Sequence, residues 1–328
     1  MGGIVKTSSE LSPEQPERYS LNGETMGTRY TALFYGPPGL DRAAIHASLF
    51  AAVDQVDRQM SNWNPDSDLC RLNAAPAHAW LAVPAELAQV LATGLRISLQ
   101  SDGAFEMGVG DLVARWGFGP AQRQPTTTGM APPPAVFTPA TTALEVDLGR
   151  LRVRKHAPLA LDLCGIAKGY GVDKLAHCLD GWGIDRYLVG IDGEMRARGT
   201  KPDGAPWAVA LEKPTYGTRE VAGVMELEDM AIATSGDYRH WVDVDGTRYG
   251  HTMDPAQGRP LSNGLAAVTV LSSTCMLADA WATALMVLGP VEGVALARQR
   301  GMDALFVLRD GDGLRETLIL AGELAQPA

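Results

Sequence analysis

Basic charge is what this chain lacks most. Lys and Arg number 28 against 38 Asp and Glu, for a formal net charge of −10. A surface of that sign argues against nonspecific nucleic-acid binding, which needs basic patches. Cysteine is scarce: Cys70, Cys164, Cys178 and Cys275 stand far apart. Without C-x-x-C spacing they offer no zinc site, and a chain this large needs no disulfide framework, one incidental bridge aside. No apolar run approaches the length of a membrane span. No signal peptide is visible, because Met1-Gly2-Gly3-Ile4-Val5 is too short an apolar start and has no basic flank. Repeats at solenoid periods are absent. So is a Walker A loop, and Gly108-Val109-Gly110 fails as a dinucleotide start because Val113 replaces the third glycine. What is present is ordinary for a globular protein, at 46% hydrophobic and 20% charged residues. Its 328 residues suffice for one large or two modest domains.

Patterning gives the elements. Residues 1–20 are polar and read as a flexible lead-in, with one domain over 21–328. Arg29–Tyr35 reads as a strand. Ala43–Met60 reads as a helix, with Ile45, Leu49, Val53, Val56 and Met60 at helical spacing. Residues 61–76 read as a turn-rich loop, and Pro84–Leu99 as a second helix. The Pro- and Thr-rich stretch 119–142 reads as an exposed loop, with a subdomain boundary near 120–142. The two halves could still share one sheet system. Strands follow at 144–148, 151–155, 187–191, 207–211, 242–249, 265–271, 304–308 and 316–320. Helices are expected at 166–180, 276–288 and 291–300. The mix predicts an α+β fold with mostly antiparallel sheets and flanking helices.

Four constellations could carry chemistry. Asp279 and Thr283 lie one turn apart on an apolar helix, capped by Ser272, Ser273 or Thr274 and stopped by Gly289-Pro290. A buried carboxylate needs a partner, and two hard oxygens on one face suit magnesium or calcium. The structural alternative is a carboxylate that caps a neighbouring loop, with Thr283 bonding back to the carbonyl of Asp279. Asp162-Leu163-Cys164-Gly165-Ile166-Ala167-Lys168 is a strand end, a turn and a helix start. Lys168 in a first helical turn opposes the helix dipole, and a phosphate would compensate it; a solvated lysine is the alternative. Gly190-Ile191-Asp192-Gly193-Glu194 places two acids at a strand end, where an ordinary turn would also serve. His251 precedes the turn Asp254-Pro255 and reads as a base toward a hydroxyl with Asp254 nearby, against a plain loop histidine. Trp63, Trp116 and Trp207 could stack on a ring, although core packing is the commoner use.

Taken in order, several stretches resemble one family, the ApbE FAD:protein FMN transferases. They are Glu24-Thr25-Met26-Gly27-Thr28, Ser61-Asn62-Trp63 with Asp66-Ser67, Gly103-Ala104-Phe105-Glu106, Asp162 to Tyr170, Gly193-Glu194, Thr234-Ser235-Gly236-Asp237-Tyr238, His251 to Gly258 and Ala278 to Thr283. The resemblance runs from about residue 24 to about residue 308. Departures are local. Glu106-Met107-Gly108-Val109 stands where the family usually has Asp-Pro-Thr-Val, and Cys164 and Asp192 stand where it often has Gly. The resemblance implies a T-fold-like architecture and a magnesium-dependent enzyme. Such an enzyme cleaves FAD and attaches FMN by a phosphoester to a Thr or Ser of an acceptor protein, releasing AMP. By the same resemblance, Asp279, Thr283 and the carbonyl of Gly165 would hold the metal. Met26, Trp63, Ala104, Phe105, Glu106, Asp162, Lys168 and Met253 would line the FAD site. His251 would assist the acceptor hydroxyl, and the rate would fall as pH drops through the imidazole range. Alternatives are a magnesium-dependent FAD pyrophosphatase giving FMN and AMP, and a non-catalytic FAD carrier. The acceptors implied belong to membrane redox complexes or the nitrous-oxide respiration system. Their flavin sites imply the periplasm, in a free or a lipoprotein form, with the cytoplasm as alternative.

Overall fold

A computed structural model describes residues 15–119, 138–311 and 313–325. Its centre is a nine-stranded sheet. In spatial order the strands are Glu17–Thr25, Thr28–Gly36, Arg186–Ile191, Glu194–Arg198, Ala231–Gly236, Leu265–Ser272, Asp303–Asp310, Gly313–Leu320 and Glu323–Ala325. Every neighbouring pair is antiparallel. The expected α+β class with antiparallel sheets is what forms. Thr28–Gly36 pairs with Arg186–Ile191, so the halves flanking the 120–142 stretch do share one sheet system.

Alternation along the strands explains why both sheet faces are covered. Tyr30, Ala32, Phe34, Tyr187 and Val189 face one way, onto the helices Arg42–Met60 and Ala167–Gly181. Leu33, Tyr35, Leu188 and Met195 face the other way, under the hairpin of Trp207–Glu212 and Val221–Leu227. The helix Cys275–Gln299 packs on Ala231–Gly236 and Leu265–Ser272 and carries the main core with Val268, Val270 and Phe306. This helix corrects one sequence expectation. By length and composition alone it is apolar enough to span a membrane. Here it is a core helix, with Ala278, Ala280, Ala282, Ala284 and Leu285 fully buried. Its φ of 82° at Gly289 interrupts it where Gly289-Pro290 predicted a stop. Asn263 donates to the Met286 carbonyl exposed by that break, at 2.8 Å.

Other differences have local causes. The sheet begins at Glu17, inside the stretch read as lead-in, because Tyr19 and Leu21 alternate into the core; residues 1–14 lie outside the described residues. Asp68–Ala74 is a helix within the expected 61–76 loop. The Ser67 hydroxyl accepts from the Cys70 amide at 3.0 Å, and Leu69 and Leu72 are buried. Of the 119–142 loop, residues 120–137 lie outside the described residues, and Ala140–Ala143 is a helical turn that buries Ala140 and Ala143. The 242–249 strand is instead a hairpin, Trp241–Val244 against Thr247–Gly250. Asp245 and Gly246 turn it with φ of 50° and 75°, as an Asp-Gly hairpin turn requires.

Candidate active site

Two helices cross at their N-termini, and each caps the other. The amide of Gly169, in the first turn of Ala167–Gly181, donates to Oδ2 of Asp279 at 3.0 Å. In return Asp173 accepts from the Cys275 and Met276 amides at 3.0 and 2.9 Å. Arg196 donates to the same Asp173 carboxylate at 2.6 Å. The crossing is tight because Gly169 lacks a Cβ, which would sit 2.4 Å from the Cys275 carbonyl oxygen. So the capping alternative for Asp279 is realised, through Oδ2. Among the described residues, Oδ1 has no hydrogen-bond partner. Burial first, then the Glu194 carboxylate, raise the Asp279 pKa well above the usual carboxylate range, with Lys168 opposing.

Thr283 stands one turn further on, and among the described residues its hydroxyl makes no bond back to the Asp279 carbonyl. Its hydroxyl lies 3.1 Å from that of Ser235. A Cβ on Gly165 would meet the Thr283 hydroxyl at 2.9 Å, so the Gly165 backbone passes directly over it. Carboxylate, hydroxyl and backbone thus converge. Among the described residues no three acidic, His or Cys side chains cluster as a metal cage. A donor set with one carboxylate fits magnesium, which keeps several waters and takes further ligands from substrate phosphates.

Lys168 is compensated, but by carboxylates. Its Nζ is 2.6 Å from Glu194 Oε1 and 3.8 Å from Asp192. Although burial opposes it, the neighbouring Glu194 and Asp279 carboxylates raise the lysine pKa, so it is a fixed cation. Asp192 and Glu194 flank the turn of a strand hairpin and are no ordinary turn acids. Asp192 also accepts from Arg239 at 2.8 Å, and Arg239 reaches Glu212 with its other nitrogen.

The remaining residues form the wall. Asp162 accepts from Asn62 at 2.7 Å and from the Cys164 amide at 2.8 Å, and burial raises its pKa. Glu106 accepts from the Gly108 and Ala140 amides at 2.6 and 3.0 Å. Burial again raises its pKa, against those bonds. Trp63 is 59% exposed, whereas Trp116 and Trp207 are core residues. Met26 sits at a φ of 45° beside Gly171.

His251 departs from its expected geometry. Asp254 spends its carboxylate on Gln257, through the backbone amide at 3.0 Å and the side chain at 2.5 Å, and makes no bond to the imidazole. A separation of three residues around a turn does not fix side-chain direction. The ring packs at right angles to His240, with centroids 5.5 Å apart, and edge-on to Phe118 at 6.4 Å. Its Nδ1 is buried and has no hydrogen-bond partner among the described residues. Burial, then His240 and Lys168, lower its pKa from 6.5 to about 4. The ring is therefore neutral through the usual imidazole range, and any acid limb of a His251-dependent rate moves below it.

Met26, Trp63, Ala104, Phe105, Glu106, Asp162, Gly165, Lys168, His251, Met253, Asp279 and Thr283 all line one cavity of about 1860 Å³. It exceeds the roughly 300–1,000 Å³ of drug-sized sites. Ser235, Asn62, Arg239 and Glu212 also line it, and sequence reasoning gave them no role. The polar end of an otherwise apolar strand, Thr234-Ser235-Gly236, was the available signal for Ser235.

The ApbE family model matches residues 26–306. The FAD:protein FMN transferase of Vibrio cholerae serotype O1 is 38% identical over 308 residues, covering 92% of this chain and 91% of that protein. A Klebsiella pneumoniae protein of the same name is 36% identical over 321 residues, covering 96% and 91%. Among solved structures, the flavin transferase ApbE from Vibrio cholerae superposes with a TM-score of 0.83 at 36% identity, covering 94% of this chain and 98% of that one. The apo flavinyl transferase ApbE of Pseudomonas stutzeri gives 0.81 at 37% identity, covering 94% and 96%.

Proposed function

The chain belongs to the ApbE family, and from that premise we infer that it is a FAD:protein FMN transferase. FAD and an acceptor protein are its substrates. The acceptor hydroxyl attacks the phosphorus on the FMN side of the pyrophosphate. The bond to the bridging oxygen breaks, AMP leaves, and FMN remains joined to the acceptor Thr or Ser. The observation that carries this reading is the cavity of about 1860 Å³, in which one half of the chain meets the other around Lys168, Asp279 and Thr283.

Within it, Met26, Trp63, Ala104, Phe105, Glu106, Asp162 and Met253 bind and orient FAD. Lys168 faces the pyrophosphate as a fixed cation. Asp279, Thr283 and the Gly165 carbonyl would hold magnesium, which when bound neutralises pyrophosphate charge and favours departure of AMP. His251, neutral and with Nδ1 unpartnered among the described residues, accepts the proton of the incoming hydroxyl. We place the enzyme in the periplasm, serving a flavoprotein subunit of a membrane redox complex or of the nitrous-oxide respiration system.

Incubation with FAD, magnesium and an acceptor tests the reading. Covalent flavin on the acceptor with stoichiometric AMP is expected. AMP release that ignores the acceptor would make the protein a pyrophosphatase, and no turnover would make it a carrier.

A further inference from the structure

We propose that the acceptor protein docks as an extended segment in a groove beside the flavin cavity. One wall is the free edge of the Val221–Leu227 strand, the other the outer face of the Asp303–Asp310 and Gly313–Leu320 strands. The proposal rests on the transferase reading, which requires a protein hydroxyl to reach His251. The two-stranded hairpin pairs Val221–Leu227 only with Trp207–Glu212, so its other edge has no strand partner among the described residues. Val221 and Val224 on that strand are 66% and 64% exposed and line the cavity.

The sheet supplies the facing surface. Alternation turns Ala304, Phe306 and Ile319 inward to the core and Leu305 and Leu318 outward. The hairpin covers the outer face of the earlier strands, as far as Leu271. Beyond that cover, Leu305 and Leu318 line the same cavity as Val221, Val224 and His251. The groove is thus a continuation of the flavin cavity. An unpaired strand edge offers main-chain hydrogen bonds to an extended chain, and flanking apolar positions take alternate side chains. Glu220, ion-paired with Lys213 at 3.5 Å, and Glu316 also line it, as does Lys213 itself.

The test is the double variant Val221→Glu with Val224→Glu. Both side chains are exposed and lie outside the residues assigned to FAD and metal, so folding and FAD affinity are expected to be unchanged. The probe is the acceptor protein of the Vibrio cholerae relative. The variant should raise the KM for that acceptor by about tenfold or more, with kcat at saturating acceptor near wild type. Wild-type labelling with an unchanged KM in the variant would overturn the groove while leaving the transferase reading intact. No labelling by wild type would remove that reading and the groove with it. Should wild type dimerise by size exclusion and the variant be a monomer with unchanged KM, the edge is a self-interface and the proposal falls.

Discussion

Replacing Asp279 by Asn separates its two roles. An Asn side-chain oxygen can still accept from the Gly169 amide, so the helix cap made by Oδ2 survives. What is lost is the anionic charge, which burial already disfavours in the metal-free protein. The Asn variant should therefore fold as stably as wild type, or more so, without magnesium. Asp279→Ala removes the acceptor as well. It leaves a buried amide unpaired and should cost roughly 1–3 kcal/mol. Magnesium distinguishes the proteins further. At a concentration about 100 times its Kd, a ligand that binds only the native state adds about 2.7 kcal/mol. For a chain of this size that is a Tm rise of about 4 °C. Thermal melts with and without magnesium, in parallel with AMP release, are the assay. Wild type should show the rise, and both variants should lose it together with flavin transfer. A wild-type rise in the Asn variant, or wild-type transfer at limiting magnesium, would refute the metal role and leave Asp279 as a helix cap.

Lys168→Met should destabilise the fold by about 3–5 kcal/mol, because it strands the buried Glu194 carboxylate. The double variant with Glu194→Gln should recover stability in urea titrations yet bind FAD about 1–3 kcal/mol more weakly by calorimetry; wild-type FAD affinity in the double variant would take Lys168 out of the site. His251→Ala should lose about 10²–10⁴-fold in transfer with FAD affinity nearly intact. Because the His251 pKa is lowered to about 4, the wild-type rate should stay level through pH 6.5 and fall only toward pH 4; a midpoint near 6.5 would contradict the buried, neutral ring. The unfolded imidazole takes its proton first as pH falls, so the stability held by this group is present above 6.5 and lost between 6.5 and about 4. Asp173→Ala should cost about 3 kcal/mol in denaturant melts, since it uncaps the Cys275 helix and strands Arg196; a loss under 1 kcal/mol would mean the reciprocal capping contributes little.

What was legible in the sequence, and what was not, follows from what each signal encodes. Periodicity located the helix ending at Met60 and the strands at 187–191 and 265–271, because a buried face repeats every 3.6 or two residues. It missed Glu17–Thr25, Glu194–Arg198 and Val221–Leu227. In these, the partner strand or covering hairpin supplies the stability that local composition lacks. For the site, residue type and helical spacing were enough to select Asp279, Thr283 and Lys168. They did not say where each side chain points. Asp279 reaches Gly169 on another helix, Lys168 reaches Glu194 across a strand hairpin, and Asp254 turns to Gln257 instead of His251. Those bonds join residues 110 and 26 positions apart in the first two cases. The first depends on a close helix crossing that the missing side chain of Gly169 permits. The same crossing ties the chemistry to the fold. Asp279 is at once a cap that docks one helix on another and the only carboxylate of the proposed metal site, so the helices cannot separate without dismantling the donor set. A carboxylate with both duties explains why a costly buried charge is kept in a helix that is otherwise almost wholly apolar.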